Sequence, residues 1–278
     1  MQQRVEEKRE QLITLYKQGK SIQNLAEFLG MSKVTVRTVI RSAGLEIRTQ
    51  SSQQLIMNGS SSLKHCAFDV LTEEALYWIG FIYADGYVYK KQNRCLINID
   101  LNSQDHEHLE KFKAFLKAGV SVRKYERLKN GKIYNSSVIT ISSKALFDKL
   151  TSFGFTNNKT YTACVHPDLA HHPAFWRGVF DGDGWISRTH TRQYQYAWVG
   201  LCGTQNTVQS FINLVKTNNI QTDVVKARHK KGTKNNYEIA FVNKIGLQVL
   251  NLLYKDATIY LERKYNKYQQ IIKDNLNQ

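Results

Sequence analysis

The sequence predicts an α+β chain: two α-β-β-α-β-β-α halves related by a pseudo-two-fold, behind a small N-terminal module of three helices. Three observations carry this. A nine-residue pattern is written twice, 98 positions apart, as Trp78-Ile79-Gly80-Phe81-Ile82-Tyr83-Ala84-Asp85-Gly86 and Trp176-Arg177-Gly178-Val179-Phe180-Asp181-Gly182-Asp183-Gly184. The same order of strand-like and helix-like segments follows each copy. Ahead of both, apolar residues recur at helical spacing in three short runs. The implied boundaries are 1–48 for the module, 49–66 for a linker, and 67–160 and 161–278 for the halves.

In the module, Leu12, Leu15 and Tyr16 form one apolar face, Ile22, Leu25, Ala26 and Leu29 a second, and Val36, Val39 and Ile40 a third. Ser21 and Ser32 stand where N-caps belong, and Leu29-Gly30-Met31-Ser32 reads as a tight glycine turn. Three helices with such a turn before the last resemble a helix-turn-helix DNA-binding domain of the resolvase-like kind. The resemblance implies that Lys33, Thr35, Val36 and Arg37 face base edges, with Arg41 near phosphate and Arg48 reaching the backbone or minor groove. The plainer alternative is a protein-interaction module. The polar, serine-rich stretch 49–66 reads as a flexible linker, with Leu55-Ile56-Met57 as a short anchor.

Thr72 caps the first motif helix, whose first turn carries Glu73 and Glu74, as the helix dipole prefers. Strands follow at Gly86-Tyr87-Val88-Tyr89 and Cys95–Leu101, a helix over 105–117, and a hairpin of Val122–Arg127 and Ser137–Ile141 turning at Asn130-Gly131. The second half gives Trp185–Ser187, Tyr196–Leu201, a helix over 206–218, a basic hairpin with Tyr237–Phe241, and closing helices.

Each motif is apolar nearly all round, which predicts a buried helix. Its small residues fall four apart, at Gly80 and Ala84 and at Gly178 and Gly182, so two such helices can approach closely. The closing Gly86 and Gly184 suit the left-handed conformation that commonly stops a helix. Asp85 and Asp183 sit at the wrong pole, a cost of roughly 0.3–1 kcal/mol each. The same violation made twice calls for an offsetting charge, and a divalent cation is the obvious one. Parallel packing would bring both acids to one edge, where hard cations favour carboxylate oxygens.

At these positions the sequence resembles the LAGLIDADG homing endonuclease family, over about residues 67–278. The small residues, the acid in eighth place and the closing glycine all match. Tyr83 departs from the usual acid in sixth place, which Asp181 keeps; that place is not a metal ligand. The ends Leu146–Leu150 leading to Gly154, and Leu253–Tyr265, look like the closing helices of such halves. The resemblance implies a saddle of antiparallel sheets and a monomer imitating a symmetric dimer. Asp85 and Asp183, with the carbonyls of Ala84 and Gly182, would hold Mg²⁺, which Mn²⁺ or Ca²⁺ can replace in binding. It implies hydrolysis of both strands of a long double-stranded DNA site to leave short 3′ overhangs, in the service of a mobile intron or intein. The family adds a lysine or glutamine that positions water, and Lys144 and Lys244, after the last strand of each half, are the candidates.

The formal charge of +16 points to a polyanionic partner. The basic residues cluster: Arg123, Lys124, Arg127, Lys129 and Lys132 in one hairpin, and Lys226, Arg228, Lys230, Lys231 and Lys234 in its counterpart. Two such ribbons fit the major groove on either side of the acids. With 42% hydrophobic residues the chain can bury a core, and no apolar run approaches the ~20 residues of a membrane span. A cytoplasmic protein of a bacterial or phage setting is expected, acting without an obligate protein partner. Cys66, Cys95, Cys164 and Cys202 read as reduced thiols, and His106, His108, His171 and His172 as surface or loop histidines rather than zinc ligands. A catalytically silent DNA-binding regulator or an RNA-splicing maturase on the same scaffold is the competing reading. A recombinase or transposase would not need two equivalent helix ends.

Overall fold

The structure, a computed structural model, describes residues 2–50, 53, 62–129, 131–155, 163–190, 195–224, 227–230, 232–233 and 235–276. It divides into two compact units, Met1–Leu63 and Lys64–Gln278. No described helix is long and apolar enough to cross a membrane.

The first unit holds α1 (Gln2–Lys17), α2 (Ile22–Leu29) and α3 (Lys33–Ser42). The Ser21 and Ser32 hydroxyls accept from the Asn24 and Thr35 amides at 3.1 and 3.0 Å, and Gly30 turns the chain at φ +63°. Leu12, Tyr16, Leu25, Ala26, Leu29, Val36 and Ile40 form its core. Val36 is therefore not a base-facing residue: its place in the apolar stripe of α3 buries it fully. The exposed face of α3 carries Lys33, Thr35, Arg37 and Arg41, together with Val34 and Thr38.

Arg48 also departs from expectation. Its guanidinium lies 3.8 Å over the Tyr16 ring and donates to the Tyr16 carbonyl, to the Lys20 carbonyl at 3.3 Å and to Gln53 Oε1 at 3.1 Å. The last carbonyls of a helix lack intrahelical donors, and a planar guanidinium supplies several at once. Arg48 thus fastens the segment after α3 to the end of α1 instead of forming a free arm. Leu55-Ile56-Met57 and most of the expected linker lie outside the described residues.

In the second unit the first half runs α4 (Glu73–Asp85), β1 (Gly86–Lys91), β2 (Arg94–Asn102), α5 (His106–Phe115), β3 (Arg123–Lys129), β4 (Lys132–Ser142) and α6 (Lys144–Ser152). After a short helical turn, α7 (Pro167–Ala170), the second half repeats it as α8 (Pro173–Asp183), β5 (Gly184–His190), β6 (Gln195–Gly203), α9 (Gln205–Thr217), β7 (Arg228–His229), β8 (Tyr237–Val242) and α10 (Asn243–Tyr254). A last helix, α11 (Glu262–Leu276), follows. The two sheets have strand orders β1-β2-β4-β3 and β5-β6-β8-β7, antiparallel throughout.

Side chains alternate across each strand. Val88, Ile97, Ile99, Ile139 and Ile141 bury one face of the first sheet, and Ile186, Val199, Leu201, Ile239 and Phe241 one face of the second. The opposite faces stay open. The hairpin of β3 and β4 pairs Lys129 with Lys132, so its turn is two residues, with Gly131 at φ +71° and Asn130 outside the described residues. The stretch Leu253–Tyr265 is not one helix. Between α10 and α11 it breaks, and the freed backbone is used: the Ile259 carbonyl accepts from Arg177 at 2.8 Å, and the Thr258 amide donates to Glu73 at 3.2 Å. Arg177 also pairs with Glu73 across the motif helices at 2.5 Å. Against the burial that would raise it, the Thr258 amide and Arg177 hold the Glu73 carboxyl below its ordinary range.

Candidate active site

The motif helices α4 and α8 lie side by side and run in the same direction, because their closest approaches keep one register. A Cβ on Gly80 would fall onto the Phe175 carbonyl, one on Gly178 onto the Tyr77 carbonyl, and one on Gly182 onto the Ala84 methyl. At Gly80 and Gly178 backbone meets backbone, which leaves no room for a Cβ. Asp85 and Asp183 end the two helices, and both are exposed. The acids converge: the Cβ position of Gly182, next in sequence to Asp183, lies 3.2 Å from Asp85 Oδ2.

The closing glycines do not work as the sequence suggested. Gly86 and Gly184 are extended, at φ −80° and −86°, not left-handed. Their role is steric. A Cβ on Gly86 would lie 2.7 Å from the Ile82 carbonyl oxygen, and one on Gly184 2.6 Å from that of Phe180. Each helix passes directly into the first strand of its half, and glycine permits so sharp an exit.

Beneath the acids lies a buried polar network that the sequence did not reveal. Asp181, fully buried, accepts from the Tyr77 hydroxyl at 2.8 Å, from the Leu261 amide at 2.7 Å, and from the Tyr254 hydroxyl. All three partners donate, which suits an ionised carboxylate. Burial pushes the Asp181 carboxyl upward, against the pull of the Lys264 ammonium, Tyr254, Leu261 and Tyr77. Tyr77 spends its one proton on Asp181, so His108 Nε2, 2.9 Å from the same hydroxyl, must be the donor there. His108 is therefore a core residue and not a surface histidine; burial lowers it to about 3, with Lys111 and Arg263 adding to the effect.

Lys264 is the second residue that sequence reasoning missed. It is buried, and its ammonium donates to the carbonyls of Phe180 at 2.5 Å, Asp181 at 2.8 Å and Gly184 at 2.6 Å. Burial brings it down to about 8, with Asp181 pulling the other way most strongly, Arg263 adding to the fall, and Asp85 and Asp183 also resisting it. A signal was present: Lys264, Tyr268 and Ile271 form one buried stripe of α11, with a lysine in an apolar place.

Lys144 and Lys244 lie in the first turns of α6 and α10, both exposed, at equivalent points of the two halves. The Lys144 ammonium is engaged by Asp148 on its own helix, and that hydrogen bond raises its pKa. Among the described residues no group of three or more His, Cys, Asp or Glu side chains is placed to hold a metal. What the helix ends offer is two carboxylates with the neighbouring carbonyls of Ala84 and Gly182, a donor set of hard oxygens that fits Mg²⁺ or Ca²⁺. The four cysteines are free.

Strand register sorts the expected DNA contacts. Arg123, Arg127 and Lys132 share the open face of the first sheet, whereas Lys124 alternates to the other face. Arg127 lies 3.2 Å from Asp100 on that face. In the second half Arg228 and Lys230 are exposed. The Lys129 side chain and Lys226, Lys231 and Lys234 lie outside the described residues. The open faces add side chains that charge counting missed. The first carries Tyr87 stacked on Tyr89 at 4.8 Å, Arg94, and Thr140 donating to Asn98 at 2.7 Å. The second carries Trp198 and Val242, directly opposite each other on neighbouring strands and both exposed.

Residues 72–152 match the profile of the LAGLIDADG-like domain. No curated protein matches the chain. Among solved structures, the chain is similar to the LAGLIDADG meganuclease I-AabMI bound to uncleaved DNA, with 14% identity and a TM-score of 0.47 over 73% of this chain and 91% of that one. It is similar to the homing endonuclease I-WcaI bound to its DNA recognition sequence, with 16% identity and a TM-score of 0.49 over 77% and 90%. For the meganuclease I-SmaMI bound to uncleaveable DNA the figures are 16%, 0.48, 73% and 91%. The profile match thus covers the first motif helix and the rest of its half, and the second half repeats the elements of the first in the same order around Asp183.

Proposed function

We propose that the chain is a site-specific DNA endonuclease that cuts both strands of a duplex with a divalent cation, Mg²⁺ in the cell. The observation that carries this reading is the convergence of Asp85 and Asp183 at one end of a parallel helix pair, each leading directly into a sheet with an open polar and basic face. Acids so placed would only repel phosphate in a protein that merely bound DNA.

In this reading Arg123, Arg127, Lys132, Arg228 and Lys230 grip the phosphates, and open-face side chains such as Arg94, Asn98 and Thr140 meet base edges. Asp85 and Asp183, with the carbonyls of Ala84 and Gly182, hold the cations. When bound, these supply Lewis-acid activation of water and neutralise charge on the leaving oxygen. The glycine contacts of the helix pair fix the separation of the two acids, and so the stagger of the cuts, a short 3′ overhang. Lys144 and Lys244 serve the water on either side. The N-terminal unit adds contacts beside the cut through Lys33, Thr35, Arg37 and Arg41, raising affinity by tethering. Such cutting serves the spread of a mobile intron or intein.

The test is to incubate the chain with a randomised duplex library and Mg²⁺, and to sequence the cut ends beside an Asp85→Asn, Asp183→Asn double variant. A long motif cut with 3′ overhangs by the wild type alone is expected. Binding enrichment without metal-dependent cutting would instead favour a DNA-binding regulator or a maturase.

A further inference from the structure

Strand register makes the two open faces comparable position by position, because Gly86 pairs with Ile99 as Gly184 pairs with Leu201. The first sheet then sets Asn98 beside Thr140, joined at 2.7 Å, where the second sets Gly200 beside Ala240. A Cβ on Gly200 would lie 2.1 Å from Trp185 Cζ2, so the Trp185 indole lies across that glycine where the first sheet presents an amide and a hydroxyl. Two residues farther along the strand, the buried Leu96 and its partner Ser142 give way to Trp198 and Val242. These two stand directly opposite each other, 49% and 38% exposed, with Ser187 on the other side of Trp198. In the major groove base edges offer donors, acceptors and one apolar group, the thymine methyl. Valine supplies no hydrogen bond and tryptophan a single N–H, so an adenine, guanine or cytosine edge pressed against the pair loses water without a full set of partners. A methyl group has no such partners to lose.

We infer that Trp198 and Val242 are specificity-determining residues that read thymine methyl groups, whereas the other half-site is read by hydrogen bonds through side chains such as Asn98 and Thr140. The inference rests on the endonuclease reading, which puts duplex DNA on this face. Arg228 on the edge strand β7 and Lys230 just beyond it, both exposed, supply the positive charge that a duplex requires beside the apolar pair. The two half-sites of the target therefore differ in the kind of contact that selects them, not only in base sequence.

Uracil differs from thymine by that methyl alone and keeps every hydrogen bond, which isolates the contact. A duplex is selected by binding from a randomised library with the full-length wild type, and each of its thymines is replaced in turn by uracil. Affinities are then measured for the wild type, Trp198→Ala and Val242→Ser, the last bringing in the residue type of Ser142. The expected result is one or two thymines, all in one half-site, at which uracil weakens wild-type binding by roughly fourfold, the value of one buried methyl. In Trp198→Ala the same replacement should change affinity by less than about 1.5-fold, the coupling that a direct contact requires. A selected site with no thymine sensitive to uracil overturns the inference, and so does a uracil effect that persists undiminished in both variants. A wild type that binds a selected duplex but cuts none would mark failure of the endonuclease reading alone. One that selects no duplex would overturn both.

Discussion

Tyr83 and Asp181 occupy the same place in the two motif helices, and each ties its helix to the opposite half by a different route. The Tyr83 hydroxyl reaches Thr207 on α9 directly, at 2.6 Å. Asp181 reaches His108 on α5 through the Tyr77 hydroxyl. His108 and Thr207 are each the third residue of the helix that follows the second strand of their half. A long side chain in one copy and a relay of two shorter steps in the other span the same gap. The sixth place of the motif is thus a brace between halves, which is why a tyrosine can replace the acid there.

The two braces should differ in cost when cut. Asp181→Ala leaves two buried tyrosine hydroxyls and the Leu261 amide without their acceptor and takes a countercharge from the buried Lys264 ammonium, and should destabilise the chain by roughly 3–5 kcal/mol. Tyr83→Phe leaves Thr207 bonded to Thr204 at 2.9 Å and should cost only about 1 kcal/mol. Urea unfolding of the two variants measures the difference; equal losses would contradict it.

The glycine contacts give a second prediction. Gly80→Ala places a methyl against a backbone carbonyl of the neighbouring helix, where no side chain can yield. The expected loss is about 3 kcal/mol, the upper end for overpacking. Gly131→Ala, in a surface turn with open space around it, should lose less, through its positive φ alone. Thermal melts of the two variants side by side would show the order.

Acid sensitivity should follow His108. Its folded pKa of about 3 lies below the ordinary value of 6.5, so the unfolded chain binds the proton more readily. Stability is fully present above about pH 6.5 and is lost as pH falls from there toward 3. His108→Gln should flatten the decline of the urea midpoint between pH 6 and 4. A slope equal to that of the wild type would mean that other groups govern acid unfolding.

DNA affinity should separate by surface. Arg127→Ala removes one open-face cation and should reduce the salt dependence of target binding by about one unit of slope, with little effect on sequence preference. Trp198→Ala should leave the salt slope unchanged and relax preference within one half-site, because an apolar side chain reads the bases rather than the phosphates. Binding titrations at several salt concentrations distinguish the two. Removal of residues 1–63, a unit with its own core, should weaken site binding more than it slows cutting at saturating protein.

Much of this architecture was legible in the sequence because it rests on local chemistry. Ser21, Ser32 and Thr72 cap the helices as expected, and the small residues four apart mark the helix contact. What was misread depends on partners distant in the chain. Val36 looked like a groove-facing residue until α3 packed on its unit, and Arg48 looked like a free arm until it met the Tyr16 carbonyl. Gly86 and Gly184 were read by their commonest use, a positive φ, whereas the crowding that requires them exists only once helix turns into strand. His108 and Lys264 are polar residues whose meaning comes from Tyr77 and from the carbonyls of α8, separated from them by 31 residues and by 80 or more.

The backbone contact of the motif helices also separates two properties of the proposed enzyme. The side chains proposed to read a target lie on the open sheet faces, where one can be exchanged for another without disturbing the interior. The spacing of the acids is set where glycine meets carbonyl, with no slack. Descendants of this chain that acquire new targets would therefore leave the same length of overhang at every one of them, as a gauge keeps its width whatever track it is laid on.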